Sequence, residues 1–146
     1  MIRRGIFEQL KKHLEGRRHF IQVISGPRQV GKTTLARQVM EALDVPSHYA
    51  SADAPTLEGH AWIETQWEIG RAATRQAGRK GALLVLDEVQ KVPRWSETVK
   101  ALWDEDTASG MPHKVLLLGS SPLLVGRGLS ESLAGRFELI RAGHWS

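Results

Sequence analysis

Eight consecutive residues carry the strongest chemical signal in this 146-residue chain. Gly26-Pro27-Arg28-Gln29-Val30-Gly31-Lys32-Thr33 follows the pattern Gly-x-x-x-x-Gly-Lys-Ser/Thr residue for residue. Glycines at both ends of such a run permit backbone angles and close approaches that a Cβ would obstruct, so successive N–H groups can turn inward onto phosphate oxygens. Lys32 is then placed to reach the β and γ phosphates of a nucleotide as a point charge, the Thr33 hydroxyl to ligate Mg²⁺, and Thr34 to sit beside the α-phosphate. A glycine-rich turn with an exposed lysine is the competing reading. Context weighs against it: the run starts directly after an apolar stretch, Phe20 to Ser25, and opens directly into an amphipathic one. A helix beginning there adds unpartnered amides and a positive dipole end to the same spot.

Binding phosphate does not by itself hydrolyse it. A second carboxylate ligand for the metal is needed, and a group that orients or deprotonates water. Asp87-Glu88 follows the apolar run Leu83-Leu84-Val85-Leu86, and ligands of parallel sheets bind at the carboxyl ends of strands. Asp87 is expected to hold Mg²⁺ through water and Glu88 to act as the general base. Two acids at a strand end also serve solubility; the phosphate loop in the same chain favours catalysis. Ser120 and Ser121 end a further apolar run, where a hydroxyl could contact the γ-phosphate or the water, or simply form a turn. Arg127 and Arg136 lie in a glycine-punctuated segment. Each reads either as a surface residue or as a cation that neutralises transition-state charge.

These groups need a scaffold, and the rest of the chain reads as one. Short apolar runs alternate with longer helical stretches, the pattern of an α/β fold with a parallel sheet and crossover helices. Five strands are expected: Phe20 to Ser25, about His48 to Ala50, Ala82 to Leu86, Lys114 to Leu118, and about Phe137 to Arg141. Between them, helices are expected over about Lys32 to Leu43, Leu57 to Gln76 and Trp95 to Asp104. Leu35, Ala36, Val39, Met40 and Leu43 form the apolar stripe of the first; Trp62, Ile63, Trp67 and Ile69 are the expected buried side of the second; Val99, Leu102 and Trp103 face inward from the third. An amino-terminal helix carries Ile6, Phe7, Leu10 and Leu14 on one side and stops at Gly16. With no repeat, low-complexity tract or linker, residues 1–146 read as one domain with a short basic amino-terminal helix over residues 1–16.

Composition bounds the chemistry further. Cysteine is absent, which removes disulfides, thiolate nucleophiles and Cys-ligated zinc or iron–sulfur clusters. No apolar run is long enough to span a membrane and the amino terminus lacks a secretory pattern, so a cytoplasmic protein without membrane partners is expected. The net charge of +4 is concentrated before His19, where Arg3, Arg4, Lys11, Lys12, Arg17 and Arg18 face only Glu8 and Glu15. Such a segment could touch nucleic acid or an acidic partner. Solvated side chains on the outer face of the amphipathic helix explain it more simply.

Taken together, the stretches Ser25 to Thr34, Leu86 to Gln90, Gly119 to Ser121 and Gly126 to Ile140 resemble the AAA-type ATPases of the P-loop superfamily, and more closely a prokaryotic group among them. The resemblance implies a P-loop NTPase three-layer sandwich with a five-stranded, mainly parallel sheet, ATP and Mg²⁺ as cofactors, and ATP hydrolysis that drives a conformational change in an assembly. It implies Ser120 or Ser121 as the sensor on the fourth strand, Arg136 as a finger acting on a neighbouring subunit's nucleotide, and Arg28 as a further phosphate-side residue. Asp53 matches an acidic position of the group with no assigned role. Members of the group usually continue into a helical lid and a restriction-endonuclease-like domain, whereas this sequence stops at Trp145-Ser146.

Two other functions compete with this expectation. A nucleotide- or nucleic-acid-binding module with little turnover would keep the loop and use the basic amino-terminal segment. A small-molecule P-loop kinase would need an arginine-rich lid and an acceptor-binding carboxylate near the second strand, for which Asp53 is the candidate. A guanine-reading Asn-Lys-x-Asp tetrapeptide is missing.

Overall fold

A computed structural model describes residues 2–26, 31–53, 60–120 and 133–141. Their elements are α1 (Ile2–Glu15), β1 (Ile21–Ser25), α2 (Lys32–Ala42), β2 (Ser47–Ser51), α3 (His60–Ala77), β3 (Ala82–Asp87), α4 (Trp95–Ser109), β4 (His113–Gly119) and β5 (Phe137–Arg141). Single 3-10 turns occupy Gly78–Lys80 and Val89–Lys91. The strands form one five-stranded sheet in the order β2-β3-β4-β1-β5, and every neighbouring pair is parallel. The expected α/β fold is present.

Strand periodicity divides the core in two. Leu83 and Val85 of β3 share one face with Leu116 and Leu118 of β4 and Ile24 of β1, and α1 and α2 cover it with Leu10, Leu14, Leu35, Ala36 and Val39. Leu84, Leu86, Val115, Leu117, Ile21 and Val23 point the other way, under Ile63 and Trp67 of α3 and Val99, Leu102 and Trp103 of α4. The result is three layers. Because both faces are covered, β3 is apolar up to Asp87 with no alternation, as buried parallel strands are.

Two expectations shift. Ile69 is 44% exposed rather than buried, because the inward face of α3 runs through Trp67, Gly70 and Thr74. A Cβ on Gly70 would lie 2.3 Å from His113 Nε2, so glycine here lets the helix approach β4. Helix α4 continues past Asp104 to Ser109, where Gly110 closes it in the left-handed conformation. The cause is Asp106, a buried acid in a polar tail that reads as loop. Its Oδ2 accepts hydrogen bonds from Trp67 Nε1 at 2.8 Å and His113 Nδ1 at 2.9 Å, and its Oδ1 accepts one from Arg71 Nε at 2.7 Å.

The basic segment is also not all solvent-facing. Arg18 donates to the carbonyls of Trp103 and His113 and to Thr107 Oγ1, with its guanidinium 3.5 Å from the Trp103 ring centroid. Burial pushes that guanidinium down to about 10, partly offset by Asp106 and Asp104. Arg18 therefore fastens the chain entering β1 to the end of α4.

Burial alone would raise the Asp106 carboxyl, but the bonds from His113 and Trp67 and the Arg71 charge outweigh it and hold the group below the ordinary carboxylate value. A depressed folded-state value stabilises the fold above the unfolded value of about 4 and is lost as pH falls through the folded one. Asp106→Ala leaves three donors without their acceptor and is expected to cost about 3–5 kcal/mol at neutral pH. Urea melts of the variant should also lose less stability than wild type on acidification below about pH 4; an equal acid response would assign the effect elsewhere.

Candidate nucleotide-binding site

Parallel register brings three chain segments to one edge of the sheet. Ser25 pairs with Gly119 and Asp87 with Leu118, so the carboxyl ends of β1, β3 and β4 lie side by side. The Gly26 N–H donates to the Gly119 carbonyl at 3.2 Å, which fastens the start of the phosphate loop to the strand bearing Ser120. At the far end of the loop Gly31 has φ 83°, a conformation in which a side chain is strained. Gly31 caps the helix that follows without a side-chain hydrogen bond, and the first amides of a helix suit an anion.

Lys32, in the first turn of α2, is only 3% exposed, and its Nζ lies 3.9 Å from Glu88 Oε1. Glu88 is 4% exposed. A buried ammonium and a buried carboxylate each require an opposite charge, and here each has one. Glu88 also accepts from Gln90 Nε2 at 2.9 Å and from Ser120 Oγ at 3.3 Å. Its backbone is left-handed, φ 55° and ψ 37°, at the turn from β3 into Val89–Lys91. Strain of this kind in a non-glycine residue persists only where its surroundings enforce it.

Asp87 stands one residue earlier with a different environment. Its Oδ2 accepts from Thr33 Oγ1 at 2.8 Å and from the Tyr49 hydroxyl at 2.5 Å. Oδ1 is buried with no hydrogen-bond partner among the described residues. Burial pushes the Tyr49 phenol up to about 12, with further help from Asp87, against smaller opposing effects of Thr33 and Arg37. An orphaned carboxylate oxygen beside a threonine hydroxyl suits a hard cation. Among the described residues no three His, Cys, Asp or Glu side chains gather to hold a metal. Thr33 and Asp87 thus fit Mg²⁺, which takes few protein ligands and completes its shell with phosphate and water oxygens.

The structure brings Lys32, Thr33, Asp87, Glu88 and Ser120 together. Pro27, Arg28, Gln29, Val30, Ser121 and Arg127 lie outside the described residues. Thr34 is exposed in the first turn of α2. Arg136 is elsewhere: its carbonyl accepts from Ile21 at the start of β1, the opposite end of that strand from Gly26, roughly 15 Å away along the strand. Its guanidinium holds both Asp104 oxygens, at 2.8 and 3.0 Å. Within one chain it does not join the site.

Two participants, Tyr49 and Gln90, were not singled out from the sequence, and Asp53 was singled out without an assigned role. Tyr49 sits in a half-buried strand with weak apolar character. Gln90 reaches Glu88 only because the 3-10 turn folds the chain back. Asp53 forms an ion pair with Lys91, which ties the turn after β2 to the turn after Glu88. A carboxylate two residues before a glutamine was the only available signal for Gln90. Strain at Glu88 has a simple check: Glu88→Gly should be more stable than Glu88→Ala by about 1 kcal/mol in denaturant melts, since both remove the carboxylate and only alanine keeps the left-handed cost. The reverse order would mean that the turn is unstrained.

Comparison with known proteins places this geometry. A family model described as an AAA domain matches residues 18–146. Uncharacterized proteins of Mycobacterium bovis and Mycobacterium tuberculosis are each 36% identical to the chain over 121 residues, covering 82% of it. The chain spans 24% of the length of these relatives. The Orc1 protein of Aeropyrum pernix, solved in complex with DNA, superposes with a TM-score of 0.67 at 15% identity, covering 99% of this chain and 46% of its own; at that identity the likeness is one of fold. The family match and the fold together support a nucleotide-binding, ATPase-like module, and the chain belongs to the AAA domain family.

Proposed function

We propose that this module binds ATP with Mg²⁺ and hydrolyses it, as a single nucleotide core over residues 1–146 of a cytoplasmic protein. The observation that carries the reading is the buried placement of the Glu88 carboxylate beside Lys32 and Ser120, one residue from an Asp87 whose Oδ1 has no partner among the described residues. Lys32 and the amides at the start of α2 bind the β and γ phosphates. Thr33 and Asp87 would hold Mg²⁺, which supplies neutralisation of charge on the phosphate oxygens. Glu88 takes a proton from water as its oxygen attacks the γ-phosphorus; the bond from that phosphorus to the bridging oxygen breaks and ADP leaves. Ser120 keeps the Glu88 carboxylate turned toward that water.

Arg136 fits a role between chains. It stands at the end of the sheet opposite the loop, so only a neighbouring copy could bring it to a γ-phosphate. Association of copies would then complete the site. A second reading, contact with nucleic acid through the amino-terminal segment, is favoured by the exposure of Lys12 and Arg17, although Arg18 is engaged with α4. No helix among the described residues is long and apolar enough to cross a membrane. The kinase reading weakens because Asp53 is paired with Lys91.

Lys32→Ala removes the loop's charged contact to the phosphates and is expected to abolish ATP binding by calorimetry; unchanged affinity would refute the assignment. Glu88→Gln keeps shape but not basicity. ATP should still bind, and phosphate release should fall by about 100-fold or more. Retained turnover would place the base elsewhere. For the second reading, DNA affinity should drop steeply with added salt, and a flat response would exclude it.

A further inference from the structure

We infer that Tyr49 is a positioning residue for the metal-binding carboxylate: its hydroxyl locks Asp87 so that Oδ1 is the oxygen offered to Mg²⁺. The inference rests on the reading of Asp87 and Thr33 as the Mg²⁺ ligands. Two hydroxyls, from Thr33 at 2.8 Å and Tyr49 at 2.5 Å, donate to the same atom, Oδ2. Among the described residues none donates to Oδ1, although it is buried and Asp87 is only 5% exposed. A carboxylate with one oxygen doubly bonded and the other bare is oriented rather than merely accommodated. Were fold stability the whole purpose, the bare oxygen would be a defect, since a buried acceptor without a donor is costly.

The tyrosine is itself held in place. Tyr49 lies on β2 at the register position of Val85, two residues before Asp87's own partner Ser51. The Arg37 guanidinium of α2 sits 4.6 Å from its ring centroid. Arg37 and Thr33 are four residues apart on one helix, so the same face of α2 fixes the ring and supplies the other donor to Oδ2. Thr33 must offer a lone pair to the cation while its proton stays on Asp87. Tyr49 lets it do so, because the second bond keeps the carboxylate from swinging both oxygens toward the metal. Partners of this kind, acting through a ligand and not on the metal, commonly govern metal affinity.

The chain contains a single tyrosine, which makes the test direct. Protein labelled with 3-fluorotyrosine gives one ¹⁹F resonance, from position 49. ATP added with EDTA should leave that resonance nearly in place, and Mg²⁺ added to the ATP-bound protein should shift it saturably. In parallel, calorimetry on Tyr49→Phe, which keeps the ring over Arg37, should show ATP affinity in EDTA unchanged and the enhancement by Mg²⁺ reduced about tenfold. If wild type gains affinity from Mg²⁺ while the resonance is indifferent to it, or while Tyr49→Phe keeps the full gain, Tyr49 has no such role and the nucleotide reading stands. If wild type binds ATP without any gain from Mg²⁺, the assignment of Asp87 falls, and this inference falls with it.

Discussion

Three charged side chains, Lys32, Asp87 and Glu88, are buried together at one edge of the sheet, and the free-energy cost of burying charge constrains everything around them. Unpaired, each would be expelled or neutralised. Here Lys32 faces Glu88, Ser120 and Gln90 donate to Glu88, and Thr33 and Tyr49 donate to Asp87. Among the described residues, the buried atoms of this arrangement left without a partner are Asp87 Oδ1 and, on the far side of the amide that donates to Glu88, Gln90 Oε1. Under the proposed function a triphosphate would take over the Lys32 charge and leave Glu88 to face water, and the same ammonium would then link ligand binding to the readiness of the base.

Holding those groups requires strands that end in register, and the register depends on interactions far from the site. The two apolar faces of the sheet fix which way each strand side chain points, since a one-residue slip would turn every one of them over. At the opposite end, Asp106 joins α3, α4 and β4 through Trp67, Arg71 and His113, while Arg18 fastens the entry to β1 onto α4. These buried polar contacts tie α3 and α4 to β4 and to the entry of β1. The turn after β3 is held from the side by Asp53 and Lys91.

Much of this was legible from the order of residues. The central strands β1, β3 and β4 are short, largely apolar runs, and the Gly26–Thr33 pattern, Asp87-Glu88 and Ser120 stand out because each is a local signal: a fixed spacing on one strand end or one helix start. Contacts between segments distant in sequence left no such mark. Tyr49 meets Asp87 across two strands, Asp106 meets Trp67 across two helices, and Arg18 reaches a helix some 85 positions later. Ile69 was misplaced because a hydropathy stripe could not anticipate that Gly70 must face His113. Helix α4 was expected to end at Asp104 because Asp, Thr and Ser favour caps and turns when solvated; burial of Asp106 reverses that preference.

The most direct test is phosphate release from ATP with Mg²⁺, measured per chain over a series of protein concentrations. Release that is present and rises per chain with concentration is the result expected under the proposal that Glu88 is the base within one copy and a neighbouring copy brings Arg136, which stands at the other end of β1 from Gly26. ATP bound at saturation with no release at any concentration would contradict it, and would leave a nucleotide-binding module without turnover.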